Sequence, residues 1–71
     1  MTGEELKHYR INQQLTQKRL GEMLGYKGRS AENIVQMWEY GTRPIPIKHF
    51  RKLAKILNIP LEKFIPEEDE E

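Results

Sequence analysis

The sequence predicts an all-α domain of five short helices packed around one small core. Apolar residues recur at spacings of three and four in several segments, as they do in helices that bury one face. Residues that start or stop helices separate these segments, and no alternating pattern or tight-turn pair indicates a β-hairpin. The 71 residues make one domain, and a domain this small buries only about 60% of the surface that its unfolded chain exposes. A large internal catalytic cavity is therefore not expected.

Helix one is predicted over residues 4–13. Leu6 and Tyr9 lie three residues apart and share one side of this helix. Glu4 and Glu5 fall in its first turn, where the helix dipole favours negative charge. The segment therefore has an inward side and a favourable start.

Helix two is predicted over residues 17–24, which makes it short. Thr16 is a residue type that caps helix N-termini, and Gly25 is one that follows helix ends. The inward stripe of this helix consists of Leu20, Met23 and Leu24.

Helix three follows a flexible basic turn, which we place at residues 27–29. Ser30 is expected to cap this helix, which runs to about Tyr40, and Gly41 stands just after its end. Its inward residues are Val35 and Trp38.

Helices four and five form the C-terminal part of the domain. The segment RPIP at residues 43–46 cannot continue a helix, so helix four begins near Ile47. Asn58 is suited to the left-handed backbone that ends such a helix, and Pro60 suits the start of the fifth. Helix four has the clearest apolar stripe of the chain, which consists of Phe50, Leu53, Ala54 and Leu57. The apolar residues of the fifth helix are Leu61, Phe64 and Ile65.

The charges divide the chain at Pro66. Five of the eleven acidic residues lie in residues 67–71, so residues 1–65 carry 12 basic and 6 acidic side chains, a net charge of +6. A folded body of this sign suits a polyanionic partner. The acidic segment has the composition of a solvated, disordered end. We therefore expect a folded domain over residues 1–65 and a disordered tail over residues 66–71.

Several classes of function are disfavoured by what the sequence lacks. The chain has no cysteine, so it offers no disulfide or thiolate metal site. His8 and His49 fall in different predicted helices, and neither belongs to a metal-ligand or nucleophile pattern. No glycine-rich phosphate loop is present. The sequence predicts no enzyme, no cofactor and no small-molecule ligand.

The expected location follows from the same kind of reasoning. No apolar run approaches the roughly 20 residues that span a bilayer, and the first ten residues are too polar for a signal peptide. We therefore expect a cytoplasmic protein that makes no contact with a membrane.

Three segments carry a resemblance to a known family. They are LTQKRLGEMLGY at residues 15–26, WEYGTRP at residues 38–44 and LAKILNIPLEKF at residues 53–64. Over residues 4–65 the chain resembles the helix-turn-helix domain of the phage-repressor and Cro-like family, also called the XRE family. The resemblance implies a compact, lambda-repressor-like fold that reads the major groove of DNA with helix three. Between Gly25 and Glu39 the chain is longer than the family pattern, and we assign the extra length to residues 26–29.

The resemblance also assigns the residues that face DNA bases. Counting back from Glu39, these residues are Ala31, Glu32, Asn33, Gln36 and Met37. The amides of Asn33 and Gln36 can each form two hydrogen bonds to adenine, while Glu32 can accept one from cytosine. Met37 and Ala31 can pack on a thymine methyl group. Two alternatives remain open: Glu32 serves only the helix dipole, and Met37 only covers the core.

The resemblance assigns a second set of residues to the DNA backbone. Gln17 stands at the start of helix two, where free main-chain amides and the helix dipole favour a phosphate. The expected neighbours of that site are Lys18, Lys27, Arg29 and Arg43.

Two further positions follow from the family pattern. Arg10 and Glu39 are expected to form an ion pair that joins helix one to the end of helix three. Gly21 stands where the family usually has alanine, and we expect the two residues to be equivalent there apart from helix propensity, since both allow close approach of helices.

The predicted function is that of a sequence-specific transcription regulator, most simply a repressor of prokaryotic or phage origin. By analogy with the family it binds a palindromic operator in double-stranded DNA as a homodimer, with residues 59–65 as the expected subunit contact. The alternative is a helical protein-interaction module or antitoxin that has lost or weakened DNA binding. Its apolar face would consist of Ile45, Ile47, Phe64 and Ile65.

Overall fold

The computed structural model describes residues 1–64. All regular secondary structure in this range is helical, which confirms the all-α class. The four α-helices are α1 (Gly3–Asn12), α2 (Gln17–Met23), α3 (Gly28–Tyr40) and α4 (Phe50–Leu57). Single 3-10 turns precede and follow α4, at Ile47–His49 and Leu61–Lys63. The predicted acidic tail, residues 66–71, and Ile65 lie outside the described residues.

The start of α1 is fixed by a reciprocal cap. The Thr2 hydroxyl accepts from the Glu5 main-chain N–H at 3.1 Å, and the Glu5 carboxylate accepts from the Thr2 N–H at 2.8 Å. The bond to the Thr2 main chain lowers the pKa of Glu5. Further along α1, Leu6 and Arg10 face inward, and both are buried.

The pair α2 and α3 forms the centre of the domain. Thr16 caps α2 as predicted, because its hydroxyl accepts from the Arg19 N–H at 3.0 Å. α2 ends at Met23, one residue earlier than predicted, and Gly25 stands just beyond its cap with a left-handed φ of +104°. Midway along α2, a methyl group on Gly21 would lie 2.2 Å from the Ala31 carbonyl oxygen. The expected equivalence of glycine and alanine at position 21 is therefore wrong, since these helices lie closer together than an alanine allows.

The start of α3 also corrects a prediction. The helix begins at Gly28 and not after Ser30, so the supposed flexible turn at residues 27–29 contributes its last two residues to the helix. Gly28 has a φ of +61°, a left-handed conformation that turns the extended chain at Lys27 into the helix. Part of the extra length, Gly28 and Arg29, therefore extends α3 by about half a turn at its N-terminus.

The end of α3 is as the sequence predicts. Gly41 takes up left-handed backbone with a φ of +82°, and its N–H donates to the Trp38 carbonyl oxygen at 3.2 Å. The following residue, Thr42, returns a second N–H to Met37 at 3.0 Å. The chain then leaves the helix sharply toward α4.

The C-terminal part has one helix fewer than predicted. Asn58 ends α4 with a φ of +58°, as expected. The predicted fifth helix is only a 3-10 turn, closed by bonds from Lys63 to Pro60 and from Phe64 to Leu61, both 2.9 Å. These tighter bonds turn Phe64 back into the core, where its ring stacks on Phe50 with centroids 5.0 Å apart. The count of five helices is therefore wrong, and the described residues contain four α-helices.

The core lies where all four helices meet. Its fully buried centre consists of Leu6, Leu20, Val35, Leu53 and Leu57. It is extended by Leu24, Trp38, Ile59 and Phe64. Since every helix contributes to this one cluster, the exposed side of α3 is held in a fixed orientation.

Candidate nucleic-acid interface

The exposed side of α3 is the surface on which the sequence predicts base-reading residues. The buried side of the helix carries Ala31, Val35 and Trp38, which are spaced as i, i+4 and i+7 and are at most 2% exposed. The helical period of 3.6 residues fixes which side chains lie opposite. They are Arg29, Asn33, Gln36 and Tyr40, and we call these four residues the outer stripe. Arg29, Asn33 and Tyr40 are exposed, and Gln36 is half-buried.

The predicted base-reading residues divide into three groups. Asn33 and Gln36 lie on the outer stripe, while Glu32 and Met37 lie on opposite flanks of it, Glu32 exposed and Met37 half-buried. Ala31 is fully buried, because it packs against Gly21 of α2. Its assignment to a thymine methyl group is therefore wrong. The count from Glu39 did not take into account that the inward residues Val35 and Trp38 lie four and seven positions after Ala31 and so share its side of the helix.

The predicted phosphate-binding residues are less uniform. Lys18, Lys27, Arg29 and Arg43 are all exposed. Gln17 is half-buried, and one N–H of its side-chain amide donates to Glu39 at 3.0 Å. The Gln17 side chain therefore has one N–H and its oxygen left for other partners, in addition to the main-chain amides at the start of α2.

A buried ion pair anchors this region. Arg10 Nε lies 2.6 Å and Nη2 3.2 Å from the two carboxylate oxygens of Glu39, and the side chains are only 9% and 3% exposed. The third nitrogen of the guanidinium donates to the Leu15 carbonyl oxygen at 2.8 Å. Glu39 thus accepts from α1 through Arg10 and from the start of α2 through Gln17. This bidentate geometry joins three helices at the base of the interface.

A shallow depression of about 400 Å³ lies beside α3. It is lined by Tyr26, Ser30, Asn33, Ile34, Met37 and Arg43. The Arg43 N–H donates to the Met37 carbonyl oxygen at 3.4 Å, which holds the chain after α3 against the helix. Arg43 and Asn33 therefore line the same depression.

Tyr26 fixes the segment that enters α3. Its hydroxyl lies 2.9 Å from Nε2 of the buried His49, and its ring meets Trp38 edge to face with centroids 6.2 Å apart. Burial lowers the pKa of His49, and the neighbouring charges of Lys48 and Lys52 lower it further. The contact between Tyr26 and His49 ties the segment before α3 to the 3-10 turn before α4.

A second depression, of about 940 Å³, lies along α4. Three basic side chains line it, Arg51, Lys52 and Lys55, together with Ala54, Ile59 and Leu61. None of the predicted DNA-contacting residues belongs to it. It adds to the positive surface of the domain and not to the surface of α3.

The geometry described above is that of two helices packed at close range, the second of which presents polar side chains outward. A sequence model of the helix-turn-helix family matches residues 6–64, which is most of the chain. The protein belongs to the XRE-type helix-turn-helix family. The resemblance seen in the sequence is thereby confirmed, and the family is one of DNA-binding transcription regulators. No curated protein and no solved structure matches the chain significantly.

The geometry of this helix-turn-helix protein gives little support to the rival interpretations, an enzyme or a protein-interaction module. Within residues 1–64, no group of three or more metal-ligating side chains comes together. None of the helices in that range has both the length and the apolar character needed to cross a bilayer. The apolar face expected of an interaction module is interrupted: Phe64 is buried, Ile45 is half-buried, and Ile47 is 79% exposed. Ile65 lies outside the described range.

Sequence reasoning missed three features of the interface. Arg29 belongs to α3 and not to a loop, and Tyr40 completes the outer stripe with 75% of its surface exposed. Tyr26 and His49 are 23 residues apart in the sequence, so no local sequence pattern indicates their contact. For Arg29 a signal was present, because Gly28 can turn an extended chain into a helix two residues before Ser30.

Proposed function

We propose that this protein binds double-stranded DNA in a sequence-specific manner, as a transcription regulator that acts as a repressor. The observation that carries the proposal is the placement of Asn33 and Gln36. Both amides lie on the outer stripe of α3, opposite a face that is locked onto α2 by the contact between Gly21 and Ala31. An α-helix presented in this way fits the major groove of B-form DNA.

The chemistry of the stripe suits adenine in particular. A side-chain amide presents an N–H donor and a carbonyl acceptor side by side, which match N7 and the N6 amino group of adenine. Asn33 and Gln36 are three residues apart, so they are separated by about 4.5 Å along the helix axis. That distance suits contacts with the same or adjacent base pairs. Each correct pair is worth about 1 to 3 kcal/mol of discrimination.

The flanking charges suit the phosphate backbone. Lys18 stands in the first turn of α2, while Lys27 and Arg43 stand before and after α3. All three are exposed. Together with the main-chain amides at Gln17, they give positive charge at the start of α2 and before and after α3, where the DNA strands would pass.

A homodimer on a palindromic operator is part of the proposal, by analogy with the family. Two half-sites about 34 to 36 Å apart would then lie on one face of the duplex. Fewer residues of the stretch 59–65 are available for a subunit contact than the sequence indicates, because Ile59 and Phe64 are only 4% and 6% exposed. In the described part of that stretch, Leu61 is the exposed large apolar residue, at 38%. We place the protein in a prokaryotic or phage-infected cytoplasm as part of the same proposal.

The proposal is tested by selecting bound duplexes from a random pool with the purified full-length chain. A regulator of this kind enriches one motif, and a dimer enriches it as two inverted copies at a fixed spacing. A pool that stays random at low salt contradicts sequence-specific binding. A single motif without an inverted copy contradicts the dimer and leaves the reading of bases intact.

A further inference from the structure

We propose that Arg29 reads a guanine base in the major groove, and does not merely bind the phosphate backbone. This inference rests on the proposed function, and it adds a specificity-determining residue to it. The position of Arg29 in the helix carries the argument.

Arg29 lies in the first turn of α3, because the helix begins at Gly28. It precedes Asn33 by four residues and Gln36 by seven, so the three side chains share one side of the helix. At 1.5 Å per residue, the stripe from Arg29 to Gln36 is about 10 Å long. This length corresponds to roughly three base-pair steps of 3.4 Å. A DNA groove that accommodates the amides of Asn33 and Gln36 therefore also accommodates Arg29.

The guanidinium is free to act there. Arg29 is exposed, and within residues 1–64 it forms no ion pair, not even with Glu32 one turn later. Two other arginines are held by carboxylates, Arg10 by Glu39 and Arg19 by Glu22. A free guanidinium at the end of a base-reading stripe keeps all of its donors for DNA.

The neighbouring charges are better placed for phosphates. Lys27 stands in the extended chain before the helix, and Arg43 stands in the chain after it. Lys27 and Arg43 therefore lie beside the outer stripe and not on it, where the sugar-phosphate strands would pass. Arg29, in contrast, is aligned with the amides that face base edges.

The chemistry identifies the base. Two parallel N–H groups of a guanidinium match the O6 and N7 acceptors of guanine, which is the commonest specific contact between side chain and base. Lysine carries the same charge but lacks this planar fork. The inferred half-site therefore contains a G·C pair on the Arg29 side of the pair or pairs read by Asn33 and Gln36.

The test compares the preferences of the parental protein with those of Arg29→Lys and Arg29→Ala, using duplex selection and then binding titrations on single-base variants. Both variants are expected to lose discrimination at one G·C pair, by roughly 5- to 150-fold, the equivalent of about 1 to 3 kcal/mol. Preferences elsewhere in the site should persist. Replacing the guanine with 7-deazaguanine should weaken the parental protein but cause no further loss in Arg29→Ala.

Lys27→Ala is the matched control. It should weaken binding to all sequences alike and lower the salt slope by about 0.9 without altering the preferred motif. If Arg29→Ala behaves in this way too, Arg29 is a backbone contact and the inference is overturned. A parental protein that enriches no motif contradicts the proposed function itself, so the two failures are distinguishable. Thermal melts of the variants show that each is folded.

Discussion

Gly21 and Ala31 pack backbone to backbone, so that a methyl group on Gly21 would lie 2.2 Å from the Ala31 carbonyl oxygen and 2.7 Å from its Cα. These distances fall well inside van der Waals contact, and the opposing atoms are main-chain atoms that cannot rotate away. The contact fixes how α3 lies on α2. It therefore decides which residues of α3 are buried and which form the outer stripe.

Replacing Gly21 with alanine should destabilise the protein, although alanine is the better helix former by up to about 1 kcal/mol. Overpacking in a tight contact typically costs about 1 to 3 kcal/mol, and here the clash is with the backbone. We expect the melting temperature of Gly21→Ala to fall by several degrees in a thermal melt. Ser30→Ala, an exposed substitution on α3, is the control and should melt at or above the parental temperature. A Gly21→Ala protein as stable as the parent would mean that the helices separate at no cost.

Breaking the pair between Arg10 and Glu39 should be strongly destabilising. Removal of one partner from a buried pair costs about 3 to 5 kcal/mol, because the other charge is left without compensation. We expect chemical denaturation of Arg10→Met to show a loss of this order. Arg19→Met breaks an exposed contact of 3.8 Å with Glu22 and should cost at most about 1 kcal/mol. Equal effects in the two variants would contradict the anchoring role of the buried pair.

The stability of the domain should decrease as the pH falls below the ordinary histidine pKa of about 6.5. Because burial lowers the pKa of His49 in the folded protein, the unfolded chain takes up a proton first, which favours unfolding. The contribution of His49 to the free energy of unfolding is fully present above pH 6.5, and it is lost as the pH falls toward the pKa of His49 in the folded protein. Denaturation at pH 7.5 and 5.5 measures it.

His49→Gln separates this effect from other titrations. Glutamine keeps a hydrogen-bond partner for the Tyr26 hydroxyl and does not titrate, so the variant should show a smaller loss of stability between these pH values. His8→Gln, at an exposed position of α1, is the matched control, because it removes a histidine without touching Tyr26. A His49→Gln protein with the parental dependence would assign the effect to other groups.

DNA affinity should fall steeply with salt. If Lys18, Lys27 and Arg43 each neutralise one phosphate, log K should fall against log salt with a slope of about −2.7 per subunit. Arg43→Ala should reduce that slope to about −1.8 and should weaken binding to all sequences alike. Titrations of one duplex at several salt concentrations give both values. A slope near zero would remove the electrostatic part of the proposed interface.

Local signals in the sequence predicted the parts of the fold that depend on local geometry. Thr16 at the start of α2 and Asn58 at the end of α4 each perform the capping role that their residue type favours. The start of α3 was mistaken because two local signals compete. Ser30 is the stronger cap by type, but the left-handed Gly28 starts the helix earlier. Tyr26, two residues before Gly28, packs against His49, and that contact is not local.

The candidate site shows the same division. Periodicity was sufficient to place Asn33 and Gln36 on one helix, and a helix of known phase would have predicted that Ala31 is buried. That phase was present in the sequence, since Val35 and Trp38, the predicted inward residues, follow Ala31 by four and seven positions. The count from Glu39 assigned Ala31 to the bases without using it. The backbone contact between Ala31 and Gly21, in contrast, joins two helices and is not visible in the pattern of either one.

The most direct measurement is the binding of Asn33→Ala and Gln36→Ala to a selected duplex and to its single-base-pair variants. The account predicts that each variant loses discrimination at one or two A·T pairs, by roughly 5- to 150-fold, and keeps the parental preference elsewhere. Asn12→Ala removes an exposed amide from α1 and should leave every preference intact. If Asn33→Ala and Gln36→Ala both retain the full parental sequence preference, α3 does not read the major groove through these amides and the account is contradicted.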